Sequence, residues 1–146
     1  MEYVSTLTAI IAEIEPARKR GASVVLANGA FDMLHVGHLR YLQGAKALGD
    51  ILVVAVNSDD SVRISKGPKR PVIPDCERAE LVAALDVVDW VFLFEEPTAA
   101  EVIDMLRPNF HAKGTDYTTD TIPERIVVEG HGGRVVIVGD PKDHST

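Results

Sequence analysis

The chain has 146 residues, 46% of them hydrophobic and 25% charged, and its 15 Lys and Arg against 22 Asp and Glu leave a net charge of −7. That is enough chain for one domain with a real core, in the composition range of soluble globular proteins. The acidic balance argues against general nucleic-acid binding, which needs a continuous basic patch. No apolar run approaches the length of a membrane span and the N-terminus lacks a signal-peptide layout, so a cytoplasmic location is expected.

In chain order, Ser5 to about Arg20 reads as an amphipathic helix with Leu7, Ile10, Ile11 and Ile14 on one face. Its basic end, Arg18-Lys19-Arg20 followed by Gly21, suits a helix C-terminus. The apolar face of this helix would brace the sheet or a partner subunit. Val24 to Ala27 is short, apolar and rich in valine, as expected of a buried parallel strand. Asn28 to His38 follows, N-G-A-F-D-M-L-H-V-G-H, with Gly29 and Gly37 opening the backbone to a ligand. From about Val36 the period changes to Leu39, Leu42, Ala45 and Leu48, one helical face ending at Gly49. Strand, glycine turn and helix N-terminus together form an anion site, because the first helical N–H groups lack partners and the dipole favours negative charge. His35 and His38, three residues apart, lie on one face of that helix start and can both donate to one phosphate chain. A zinc site would need a third ligand, and His111, His131 and His144 show no metal-type spacing to the pair.

Ile51 to Val56 predicts a second strand, and a strand–helix–strand order implies a right-handed parallel crossover. Ligands of open parallel sheets bind at the carboxyl ends of the strands, so Asn57-Ser58-Asp59-Asp60 would face the same crevice, with Ser58 or Asp59 serving as a helix cap. Ser65 to Pro74 carries four conformational breakers and three positive charges, which predicts a mobile basic loop from which Lys66 can close over a phosphate chain. Asp75 is read as the N-cap of a helix from about Cys76 to Leu85, burying Leu81, Val82 and Leu85. Cys76 is the one cysteine, so no internal disulfide forms. Val87 to Phe94 predicts a third strand, and Thr98 caps a helix through Leu106 that ends before Pro108. Phe110 to Lys113 is a short strand running into a Gly114 turn, Pro123 to Glu129 a helix stopped at His131-Gly132-Gly133, and Arg134 to Val138 the last strand.

The organising stretch resembles the nucleotidyltransferase superfamily that carries G-x-F-D-x-x-H-x-G-H, matched by Gly29, Phe31, Asp32, His35, Gly37 and His38. The family position held by Ala30 is often Cys or Thr, so contact there would come from the backbone. Three further stretches are similar to its heptose 1-phosphate adenylyltransferase branch: K-G-P-x-R-P-V from Lys66, V-D-W-V around Trp90, and K-G-x-D-Y from Lys113 to Tyr117. The resemblance implies a Rossmann-like α/β fold, an open parallel five-stranded sheet with helices on both faces, over one domain spanning residues 1–146.

It further implies transfer of a nucleotidyl group from ATP to a sugar 1-phosphate, with Mg2+ carried by the triphosphate and pyrophosphate released, in lipopolysaccharide-precursor metabolism. His35, His38 and Lys66 would be catalytic, and Asn28, Gly29, Ala30, Phe31, Gly37, His38 and Arg78 would bind the nucleotide. Asp32, Asn57, Lys113, Gly114 and Asp116 would meet the acceptor, Lys113 at its phosphate and Asp116 at its hydroxyls. Ser145 and Thr146 match the opening of a Ser/Thr-rich, phosphate-holding stretch of the family, after which this sequence stops, so a shortened C-terminal tail is expected. A homodimer is expected from the resemblance and from the first helix. A CTP-dependent glycerol phosphate or other alditol phosphate enzyme, and an inactive nucleotide-binding regulator, stay open as alternatives.

Overall fold

A computed structural model describes residues 5–96, 98–115 and 124–140. Five apolar segments form strands: β1 (Val24–Gly29), β2 (Ile51–Asn57), β3 (Trp90–Phe94), β4 (Phe110–Lys113) and β5 (Arg134–Ile137). All four pairings are parallel, in the order β3-β2-β1-β4-β5. Parallel neighbours require crossovers, which are supplied by α2 (Val36–Lys46), α3 (Asp59–Lys66), α4 (Asp75–Ala83), α5 (Ala100–Leu106) and α6 (Arg125–Gly130), while α1 (Leu7–Lys19) precedes the sheet.

The alternation of the strands sorts these helices onto two faces. Val24 and Leu26 point into a core shared with Ile10 and Ile14 of α1, Ile103 and Leu106 of α5, and Val128 of α6. Val25 and Ala27 point the other way, against Leu42 and Ala45 of α2 and Ala79 and Val82 of α4. The expected open five-stranded sheet with helices on both faces is the fold observed. The strand order reverses between β1 and β4, which opens a crevice at their carboxyl ends.

Several local expectations are corrected. The apolar face of α1 is spent on the sheet, with Ile10 and Ile14 buried and Leu7 and Ile11 packed against the same core, so it gives no support for a dimer. Arg18 and Lys19 do sit in the last turn of α1, and Arg18 in addition donates to Leu106 O and Arg107 O, closing the C-terminal end of α5. α3 replaces part of the expected loop: Ser58 caps it through Ser61 N–H, and Lys66 is its last residue before Gly67 at φ 98°. Pro74, not Asp75, is the N-cap of α4, and the buried side of that helix is Arg78, Ala79 and Val82, leaving Leu81 46% exposed. Thr98 accepts from Ala100 N–H, but the helix proper begins at Ala100. No helix among the described residues is long and apolar enough to cross a membrane.

Candidate functional site

The turn after β1 is strained and held from several sides. Phe31 (φ 52°) and Met33 (φ 59°) occupy the left-handed region, at a cost of about 1–3 kcal/mol each for non-glycine residues. The Phe31 ring is buried, edge-on to His38 at 5.6 Å and stacked on Tyr41 at 6.4 Å. Gly29 lies beneath it, and a Cβ there would stand 3.2 Å from the ring. Asp32 ties the turn to the loop before α4, its carboxylate accepting from Val72 N–H (2.9 Å), Ile73 N–H (3.0 Å) and Arg70 (3.3 Å). Burial alone would raise the pKa of Asp32; these donors outweigh it and hold the carboxyl below its ordinary value.

His35 is the N-cap of α2, and the two histidines cap the helix reciprocally. Gly37 N–H donates to His35 Nδ1 at 3.0 Å and His35 N–H to His38 Nδ1 at 3.2 Å, with the rings 4.0 Å apart. A neutral imidazole whose Nδ1 accepts carries its proton on Nε2, so the caps set both tautomers and turn two Nε2–H donors outward. The expectation of open helical N–H groups is thereby modified: Gly37 N–H is taken by His35. Burial, together with the neighbouring charges of His35 and Lys66, pushes the pKa of His38 down to about 4. His38 is therefore a neutral donor at physiological pH.

These groups face a cleft of about 660 Å³ at the carboxyl ends of the strands. Of the residues expected at the site, Asn28, Gly29, Ala30, Phe31, Asp32, His35, Gly37, His38, Asn57, Lys66, Lys113 and Gly114 all line it. Asp116, Ser145 and Thr146 lie outside the described residues. Lys66 reaches the cleft from the last turn of α3. Asn57 donates its amide to Ser61 Oγ at 3.0 Å, so its side chain is partly committed within the wall.

Arg78 does not reach the cleft. It is 0% exposed and donates to Ile73 O (2.8 Å), Ala30 O (2.6 Å), Asn57 O (2.8 Å) and Asp59 Oδ1 (3.0 Å). Its guanidinium is spent on joining the turn after β1, the end of β2 and the entry to α4, so the expected contact with a triphosphate is corrected to a bracing role. Asp59 and Asp75 reinforce that joint by each accepting the other's backbone N–H, at 2.8 and 2.9 Å.

Three residues of this region were not singled out by sequence. Tyr41 donates its hydroxyl to Ala112 O at 2.6 Å, tying α2 to β4 beside the cleft. Glu124 is buried, lines the cleft and accepts from Ala99 N–H with Oε2. His111 is fully buried, with Nε2 2.7 Å from Asn28 Oδ1. Lys113 is also buried, and desolvation lowers its pKa against the opposing pull of Glu124. No sequence spacing links these residues, since β4 and α6 bring them together only in the fold. No group of three or more His, Cys, Asp or Glu that could hold a metal ion occurs among the described residues.

The family model described as cytidylyltransferase-like matches residues 26–141. The bifunctional protein HldE of Syntrophotalea carbinolica is 51% identical over 86% of this chain and 26% of its own length. That of Pelobacter propionicus is 50% identical over 91% of this chain and 27% of its own. This chain thus spans only about a quarter of the length of these relatives. Among solved structures, the lipopolysaccharide core biosynthesis protein of Thermoplasma volcanium superposes with a TM-score of 0.72 at 31% identity, over 82% of this chain and 98% of that one. The matched segment contains both histidines, Lys66 and the whole sheet apart from the start of β1, and the chain belongs to the cytidylyltransferase-like family of nucleotidyltransferases.

Proposed function

We propose that this chain transfers the nucleoside monophosphate of ATP to a sugar 1-phosphate, heptose 1-phosphate by resemblance, and releases pyrophosphate. The observation that carries this reading is the pair of outward Nε2–H donors fixed by the reciprocal caps of His35 and His38, in one cleft with Lys66. A phosphate oxygen of the acceptor attacks the α-phosphorus in line. The new P–O bond forms as the bond to the bridging oxygen breaks, and pyrophosphate leaves with that electron pair. The reaction asks for positioning and for donors where charge grows on the phosphoryl oxygens. His35 and His38 supply imidazole donors there, and Lys66 supplies a positive charge toward the leaving pyrophosphate.

On the acceptor side, Lys113 and Gly114 at the end of β4 and Asn57 at the end of β2 line the cleft and are assigned to the sugar phosphate. The direct role expected of Asp32 narrows to holding the loop wall, because both its oxygens already accept backbone N–H groups. Asp116 for the sugar hydroxyls, and Ser145 and Thr146 for the phosphates, remain part of the proposal by resemblance. Mg2+ would be held by the oxygens of the triphosphate and by water, and would supply neutralisation of part of its charge. The reading treats residues 1–146 as one nucleotidyltransferase domain acting in the cytoplasm, and the homodimer rests on family resemblance alone.

Incubation with ATP labelled at the α-phosphate, Mg2+ and a sugar 1-phosphate tests the reaction class. The label passes into a nucleoside diphosphate sugar; label recovered as AMP, or left in ATP across a panel of sugar phosphates, refutes it.

A further inference from the structure

On the sheet face that carries α1, α5 and α6, β1 and β2 present valine, leucine and alanine, but β4 presents a histidine. His111 stands opposite Leu26 in the β1–β4 register and is fully buried. One ring nitrogen reaches along the sheet to Asn28 Oδ1 at 2.7 Å, while Nδ1 has no hydrogen-bond partner among the described residues. A half-satisfied buried imidazole in a sheet core is a standing cost to the fold. Among the described residues its ring hydrogen-bonds to one side chain, Asn28, which lines the cleft.

Asn28 needs that contact for a chemical reason. A carboxamide has a donor end and an acceptor end of nearly equal size, and a strand-end asparagine open to a cleft can present either. Against a phosphate oxygen only the NH2 end is useful, since the carbonyl end would repel it. His111 biases the choice: its Nδ1 has no partner among the described residues and costs less there as a bare lone pair than as a buried N–H, which puts the proton on Nε2, facing Asn28. Burial, with the Lys113 charge in the same direction and Glu124 opposing, pushes its pKa down to about 4, so the ring is neutral and carries one proton. With Oδ1 as its partner that proton sits on Nε2, Oδ1 stays turned into the sheet, and the NH2 group is left for the ligand.

We propose that His111 is a positioning residue that fixes the Asn28 amide as a donor-only contact, matched to an anionic phosphate oxygen of the nucleotide rather than to a hydroxyl or an amine. The inference rests on the proposed nucleotide site but assigns a role to a residue that the reaction itself does not use. It also accounts for the orphaned Nδ1: a single ring donor toward Asn28 is what the site requires, and β4 offers the second nitrogen nothing.

The test uses the full chain with His111→Leu, which removes the donor at similar volume, and His111→Gln, whose amide nitrogen replaces it. Titration calorimetry with Mg·ATP and with Mg·pyrophosphate is read beside kcat, KM and the thermal midpoint. The Leu variant loses affinity for both probes, by up to about tenfold, the worth of one hydrogen bond to a charged group. Its KM for ATP rises in step, while kcat stays within about twofold, because the contact is made equally in ground and transition states. Its midpoint holds or rises, since an unsatisfied buried polar group has been removed. Gln restores the affinity, and adding His111→Leu to Asn28→Ala costs nothing further. Asn28→Asp, which keeps the acceptor for His111 but loses the donor, binds as weakly as Asn28→Ala or more weakly.

Unchanged affinity in the Leu variant, loss not restored by Gln, additive losses in the double variant, or an Asp variant that binds as the wild type would each overturn the inference while leaving the nucleotide site standing. A wild-type chain that binds neither probe overturns both.

Discussion

Arg78→Met separates a bracing arginine from a ligand-binding one. The guanidinium is buried and gives two of its bonds, to Ala30 O and Asn57 O, from a single Nη1. Methionine fills most of the volume but leaves the carbonyls of Ile73, Ala30 and Asn57 without their donor and Asp59 without its cation. A fully buried carbonyl left unpaired costs about 1–3 kcal/mol and loss of one member of a buried ion pair typically about 3–5 kcal/mol in all, and the groups here are part-buried, with Asp59 32% exposed. Partial hydration at the turn offsets some of this, so we expect a destabilisation of about 3–5 kcal/mol, a large share of the roughly 5–15 kcal/mol available to a domain. At roughly 2–4 °C per kcal/mol for a domain of this size, the thermal midpoint falls by about 6–20 °C. Urea unfolding followed by the fluorescence of Trp90, the only tryptophan, measures it directly. Arg78→Lys keeps the charge but offers one Nζ where a fork spans three carbonyls, and falls in between. A urea midpoint equal to wild type together with lost nucleotide binding would refute the bracing role and return Arg78 to the triphosphate.

Other predictions follow from the same geometry. His38→Asn keeps an acceptor near the Nδ1 position for His35 N–H but removes the Nε2 donor, so turnover falls about 10²- to 10³-fold with little change in thermal midpoint; a midpoint that collapses with activity would make His38 a structural cap. His38 and His111 are both held near pKa 4 in the fold against 6.5 when free. The unfolded chain therefore binds more protons between pH 6.5 and 4, stability is lost as pH falls through that window, and His111→Leu flattens the slope in a thermal-shift series. A slope unchanged in that variant would contradict the assignment for His111. Asp32→Asn replaces an acceptor pair by one acceptor and an NH2 group facing a backbone N–H, loosening the loop from Arg70 to Ile73. Trypsin cleavage after Lys66 and Lys69 accelerates as a result; an unchanged digestion rate would show that the tether is dispensable.

The legible parts of the chain were those whose chemistry is local. The five strands announce themselves as short apolar runs, α2 by its three-residue step, and the histidine pair by its place at a helix start. α3 is less visible because, among its residues from Asp59 to Lys66, only Val62 and Ile64 are apolar, and Ile64 is exposed. The buried stripe of α4 was misplaced onto Leu81 because pattern reading assigns arginine to solvent, whereas Arg78 is the most completely enclosed large side chain of that helix. Asp32 was legible as a site residue but not as a tether, since its partners lie some forty positions on in the chain. His111 and Glu124 carry no sequence signal: His111 meets Asn28 through the β1–β4 pairing and Glu124 reaches the cleft from the start of α6, placements made by topology rather than spacing.

The central claim is nucleotidyl transfer through the paired imidazoles to a sugar 1-phosphate. The most direct measurement is pyrophosphate release with Mg2+, crossing ATP and CTP against heptose 1-phosphate and glycerol 3-phosphate. Release with ATP and the heptose phosphate alone, abolished in His38→Asn, is the predicted result. Release only with CTP and glycerol phosphate would contradict the substrate assignment while keeping the histidine mechanism, and release that survives His38→Asn undiminished would contradict the mechanism itself.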